Sequence, residues 1–160
     1  MLQRIQSVFL ALALVAVALT FFMPSLIIRF KAEGEITAVY NNYGLVSVTS
    51  AGLNVLEPGY NYLLGALALL FILFAVFQFK RRKLQIMLCR VTYGVLLAMV
   101  VLNFFMPGPA IETLKTNLQV ESSVYGMAFY MPLLAMFFVF LAETFIKRDE
   151  KLVKSADRLR

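Results

Sequence analysis

Arg90 and Glu143 are the ionisable side chains of this chain best placed for chemistry, because each interrupts a long apolar stretch. A charge in a low-dielectric layer is costly. It is kept for pairing, for proton or ion relay, or because the side chain reaches back to a polar boundary. Arg90 lies more than one turn beyond Lys83, and Glu143 lies one turn before Lys147. Both therefore sit near the same boundary, on helices joined by a short connection. An interhelical ion pair is the sharper reading. Snorkelling of both side chains to headgroups is the alternative, and a relay is the third. Cys89, next to Arg90, is either a thiol with a basic neighbour or inert packing.

Other chemistry is hard to find. The chain has no histidine, the commonest general base and metal ligand. Its one cysteine cannot form an internal disulfide. There is no Ser-x-x-Lys, no glycine-rich phosphate loop and no pair of carboxylates within an apolar stretch. Glu33 and Glu35 read as a solvated strand edge. No catalytic residue, metal ligand or cofactor is assigned, and an enzyme is not expected.

The elements that must position Arg90 and Glu143 follow from composition. The 160 residues are 61% apolar, against about 45–50% in soluble domains. The excess sits in blocks that predict four membrane-spanning helices, at about 7–23, 60–79, 84–106 and 124–146. A cleaved signal peptide is the rival reading of the first block, with Arg4 as its charged region and Ala16-Val17-Ala18 as its cleavage site. Outer loops are expected at 24–59 and 107–123, and a cytoplasmic tail at 147–160. Within the first loop, Ser25–Lys31, Glu35–Tyr40 and Leu45–Thr49 are rich in β-branched and aromatic residues and predict three small strands. An irregular loop is the alternative. Ser50–Gly59 reads as a connector, and Ile111–Leu118 as one or two helical turns. Tyr60 and Tyr62 fit an outer aromatic belt. Gly94 and Ala98 have the spacing of a close helix contact.

Charge sets the expected orientation. Arg4, Lys80, Arg81, Arg82, Lys83, Arg90, Lys147, Arg148, Lys151, Lys154, Arg158 and Arg160 fall on one side, and Arg29, Lys31 and Lys115 on the other. The positive-inside rule makes the first side, with both termini, cytoplasmic. The net charge of +6 therefore reads as orientation and contact with anionic lipid, not as nucleic-acid binding. An internal repeat accompanies this pattern. Leu2-Gln3 matches Leu84-Gln85, and Phe21-Phe22-Met23-Pro24 matches Phe104-Phe105-Met106-Pro107. The expected fold is thus an all-α integral membrane protein, two tandem helical hairpins in a single domain over 1–160, with a small β-rich periplasmic loop between helices one and two.

Three segments carry a family resemblance. Met1-Leu2-Gln3-Arg4-Ile5-Gln6, the stretch from Arg82 to Arg90 and the tail from Arg148 to Arg160 resemble small four-span inner-membrane proteins from Bacteroidota, known as a domain of unknown function. The resemblance covers essentially the whole chain. It implies an inner-membrane location and no activity. The functional expectation is a non-enzymatic accessory or scaffold subunit of a larger membrane assembly. Lys80, Arg81, Arg82, Lys83, Lys147, Arg148, Lys151, Lys154, Arg158 and Arg160 would contact a protein partner or anionic lipid. A lipid- or small-solute-handling protein with a site between the hairpins is the alternative.

Overall fold

The computed structural model describes residues 2–30, 36–49, 52–79, 81–108 and 120–158. They form four helices and five strands. Helix α1 is Leu2–Leu19, and strands β1 to β4 are Leu26–Phe30, Ile36–Asn41, Gly44–Thr49 and Gly52–Pro58. Helix α2 is Asn61–Phe77, α3 is Arg82–Phe105, β5 is Val120–Tyr125 and α4 is Met127–Arg158.

Two features correct the all-α, four-span expectation. The first is length. Only α3 (Arg82–Phe105) and the Met127–Val153 part of α4 are long and apolar enough to cross a membrane among the described residues. The apolar helices Ile5–Leu19 and Asn61–Phe77 are shorter. At about 1.5 Å per residue, 17 residues reach about 25 Å, short of a hydrocarbon core of about 30 Å. Helix α1 stops early because its last amides turn tightly. Thr20, Phe21 and Phe22 donate to the carbonyls three residues back, Val17, Ala18 and Leu19. The Thr20 hydroxyl also donates to the Val17 carbonyl at 2.7 Å. The repeated Phe-Phe-Met-Pro motif is therefore outside the helix in the first half, whereas Phe104 and Phe105 close α3 in the second.

The second feature is the sheet. Its five strands are antiparallel, in the order β4-β3-β2-β1-β5. β1 to β3 cover the three stretches rich in β-branched and aromatic residues, while β4 and β5 replace an expected connector and the end of an expected loop. Pro58 and Asn54 are tolerated because β4 is an edge strand. The pairing shifts by one residue between Leu45 and Val46, opposite Glu57 and Val55. β5 comes from the other half of the chain and fills the second edge, pairing Leu26 with Tyr125 and Ile28 with Ser123. The stretch Ile111–Leu118, expected as helical turns, lies outside the described residues.

Local chemistry shapes the β2–β3 hairpin. Asn41 pairs with Gly44 across a two-residue loop, and the Asn41 side chain accepts from the Tyr43 amide at 2.9 Å. Gly44 adopts φ 125°, which no residue with a Cβ adopts cheaply. A Cβ on Gly59 would lie 2.8 Å from the Gly44 Cα, so the two glycines let the hairpin and the entry to α2 touch backbone to backbone.

The helices pack as one bundle in which the two halves interleave. α1 packs most extensively on α4, α2 on α3, and α3 on α4. The interior is made of small and medium side chains: Ala13, Ala16, Ala68, Ala75, Ala135 and Ala142 are buried beside Leu10, Ile72, Leu96 and Val139. The outer surface carries the large ones, including Leu12, Leu67, Phe74, Met87, Leu97, Leu134, Phe137 and Phe140. A bundle in water has the reverse arrangement. Small residues at helix contacts with large apolar residues outside suit packing in lipid, where dispersion and close approach replace the hydrophobic effect. Gly94 stands apart from this. It faces open space, and a Cβ at that position would meet nothing within 4 Å, so Gly94 and Ala98 do not form the expected contact within the chain. Ala135→Leu is expected to cost about 1–3 kcal/mol by overpacking, and Leu134→Ala less than about 0.5 kcal/mol. Thermal unfolding of both variants in one detergent checks the contrast.

Candidate functional site

The bundle has two polar ends. At the sheet end, Asn42 Nδ2 donates to Thr20 Oγ1 at 2.9 Å, and Asn61 Nδ2 to Asn103 Oδ1 at 3.2 Å. Asn61 Nδ2 also lies 3.5 Å from the Tyr40 hydroxyl. Thr20, Asn42, Asn61 and Asn103 are all buried, so this network ties the sheet and the start of α2 to the bundle. Asn103 is thus an interhelical link, and its partner Asn61 appears in the sequence only as one polar residue among tyrosines.

An aromatic collar surrounds this end. Tyr43 stacks on Tyr62 with centroids 5.9 Å apart, and Phe21 meets Tyr43 edge-on at 6.4 Å. Tyr125 and Phe129 lie 4.5 Å apart. Tyr60, Phe22, Phe104, Phe105 and Tyr130 are exposed.

The opposite end is basic. α3 starts at Arg82 with no acidic residue in its first turn. Arg82 reaches α4, with Nη2 3.3 Å from Asp149 Oδ2 and Nη1 donating to the Asp149 carbonyl at 3.2 Å. About a turn and a half further into the bundle, Glu143 Oε1 faces two cations. Lys147 Nζ is 2.7 Å away on the same helix, and Arg90 Nε is 3.4 Å away on α3. The Glu143 side chain is 8% exposed, against 47% for Lys147 and 66% for Arg90. Arg90 and Glu143 are therefore neighbours, but the closer partner of Glu143 is Lys147, at the helical spacing of four that the sequence contains. Glu143→Gln is expected to cost about 1 kcal/mol or less, because both cations are exposed on the surface of the bundle. A melting-temperature comparison checks it.

The remaining candidate residues divide by exposure. Arg81, Lys83, Arg148 and Lys151 are exposed at this end. Lys80 and Arg160 lie outside the described residues, as do the side chains of Lys154 and Arg158. Cys89 is buried at 1% exposure, as packing. Gln85, which in the sequence marks only the repeat, donates from Nε2 to the Ala75 carbonyl at 3.0 Å and so satisfies one of the last carbonyls of α2. Phe9 stacks on Phe145 at 5.5 Å, which brings the first half of α1 to the same end.

Among the described residues no three His, Cys, Asp or Glu side chains come together in a way that could hold a metal ion. What the arrangement offers is a cationic rim on an apolar bundle, with one buried carboxylate organising two of its cations. No curated protein matches the chain. The family model described as a domain of unknown function, DUF4293, matches residues 2–159. That match covers all but the first and last residues, and the chain belongs to the DUF4293 family.

Proposed function

We propose that the protein is a non-enzymatic accessory subunit of the bacterial inner membrane, anchored by α3 and α4 and offering its basic end to a cytoplasmic protein partner. The shorter α1 and α2 share the apolar layer by packing along the two spanning helices. The observation that carries this reading is the distribution of large side chains. The bundle exposes leucine, phenylalanine and methionine around its sides and encloses alanine, a surface that water does not tolerate over such an area. The aromatic collar at the sheet end matches residues that favour a headgroup boundary.

The cations at the start of α3 support the orientation. They sit at the positive end of the helix dipole, which disfavours them by about 0.3–1 kcal/mol each. Their retention there is accounted for by the positive-inside rule, which puts this end in the cytoplasm and the sheet in the periplasm. The resemblance of Met1–Gln6, Arg82–Arg90 and Arg148–Arg160 to Bacteroidota inner-membrane proteins agrees with that location.

Partner binding falls to the end of α4. This helix continues past Asp149 as a charged extension, with Lys151 exposed beside Leu152 and Val153. Exposed apolar side chains among charges suit a protein contact better than a solvated tail. Removing residues 151–160 leaves Lys147, Glu143, Arg82 and Asp149 in place. Purification of the tagged protein in mild detergent, with and without those residues, tests the reading. A stoichiometric partner lost with the truncation supports it. The same proteins recovered from both forms, or none from either, contradicts it.

A further inference from the structure

We infer that Arg90 and Lys147 form a site for the phosphodiester of a membrane phospholipid, with Glu143 holding the two cations in place. The inference rests on the membrane embedding proposed above.

Glu143 Oε1 lies within ion-pair distance of both Arg90 and Lys147. Two cations against one carboxylate leave one positive charge. Arg90 lies eight residues past Arg82, about 12 Å along α3. It emerges on the outer apolar surface between Met87 and Val91, which are 65% and 39% exposed. A guanidinium at that depth is not fully hydrated, and the anion within its reach there is a lipid phosphate.

The guanidinium engages Glu143 through Nε. Its two Nη nitrogens have no hydrogen-bond partner among the described residues, and the side chain is 66% exposed. A guanidinium pinned at Nε presents its Nη pair as a fork, which matches two oxygens of a phosphodiester. Lys147 Nζ lies 2.7 Å from the same carboxylate oxygen and adds a second cation beside the fork. Glu143 thereby acts as a positioning residue: it fixes the cations without neutralising both.

Native mass spectrometry of the full-length protein, delipidated in a neutral detergent, tests the site with three probes: phosphatidylglycerol, diacylglycerol with the same chains, and inorganic phosphate. The wild type is expected to retain one phosphatidylglycerol and about tenfold less diacylglycerol, and excess inorganic phosphate is expected not to displace the lipid. Arg90→Gln should lower retention about tenfold, and Arg90→Lys several-fold, because it keeps the charge and loses the fork. Leu97→Ala, on the same exposed surface, should leave it unchanged. Retention unaltered in Arg90→Gln, equal retention of diacylglycerol, or displacement by inorganic phosphate would overturn the site. If Arg90→Gln does not fold, unaltered retention in Arg90→Lys overturns it equally. Alkaline carbonate extraction separates the two failures: a wild type released from membranes contradicts the embedding, whereas a variant that stays embedded and keeps its lipid contradicts the site alone.

Discussion

Gly126→Val is expected to cost about 3 kcal/mol or more, the largest loss of any substitution considered for this chain. Gly126 joins β5 to α4. A Cβ there would overlap the carbonyl oxygen of Pro24 and lie 2.9 Å from its carbon. Those atoms are backbone and cannot rotate away. They are also committed, because the Pro24 carbonyl accepts from the Ala128 amide at 3.1 Å, and the Gly126 amide donates to the Ser25 carbonyl at 2.9 Å. Pro24 and Gly126 are thus the crossing point where the end of the first helix meets the start of the last. Separating them would detach β5 from β1 and loosen the packing of α1 on α4. Gly94→Ala is the control. It has open space for a methyl group and lies within α3, so it should be neutral or stabilising by up to about 1 kcal/mol. Thermal unfolding in detergent distinguishes them, and a Gly126→Val protein as stable as the wild type would contradict the crossing.

Asn61→Ala is expected to cost about 2–3 kcal/mol, more than its two long hydrogen bonds, to Asn103 at 3.2 Å and to Tyr40 at 3.5 Å, are worth. The reason is what it leaves behind. Asn103 is 2% exposed, and its Nδ2 has no partner among the described residues, so Asn61 supplies the bond made by its Oδ1. Without Asn61 the whole amide is stranded in an apolar bundle. Asn103→Ala removes that stranded group. The double variant should therefore be less destabilised than the sum of the singles, by about 1 kcal/mol. Strict additivity would mean that the two amides do not act as a pair.

Different parts of this molecule are legible in the sequence to different degrees, for physical reasons. Apolar blocks announce helices, and their approximate positions follow. Their ends do not, because α1 is stopped by a tight turn at Thr20 and not by Pro24. A difference of a few residues separates a spanning helix from one that is too short. β1 to β3 stand out through alternation and β-branched residues. β4 and β5 are specified by long-range pairing instead: Asn54 and Pro58 argue against a strand, and Ser122 and Ser123 are weak strand formers. β5 exists because β1 offers an edge and Pro24 anchors Gly126 next to it. At the basic end, Arg90 and Glu143 attract notice because charge in an apolar stretch is conspicuous. Lys147 does not, since it looks like the first residue of a solvated tail. The repeat misleads in a similar way, as identical Phe-Phe-Met-Pro motifs adopt different conformations in different tertiary settings.

The proposed orientation places the bundle in a membrane with its basic end in the cytoplasm and its sheet outside. Single cysteines placed by Ser122→Cys, on exposed β5, and by Arg148→Cys, on exposed α4, test it most directly with a membrane-impermeant maleimide on spheroplasts. Cys89 is buried and should not interfere. Ser122→Cys is expected to be labelled in intact spheroplasts and Arg148→Cys only after lysis. Equal labelling of the two positions before lysis, or the reverse order, would contradict it.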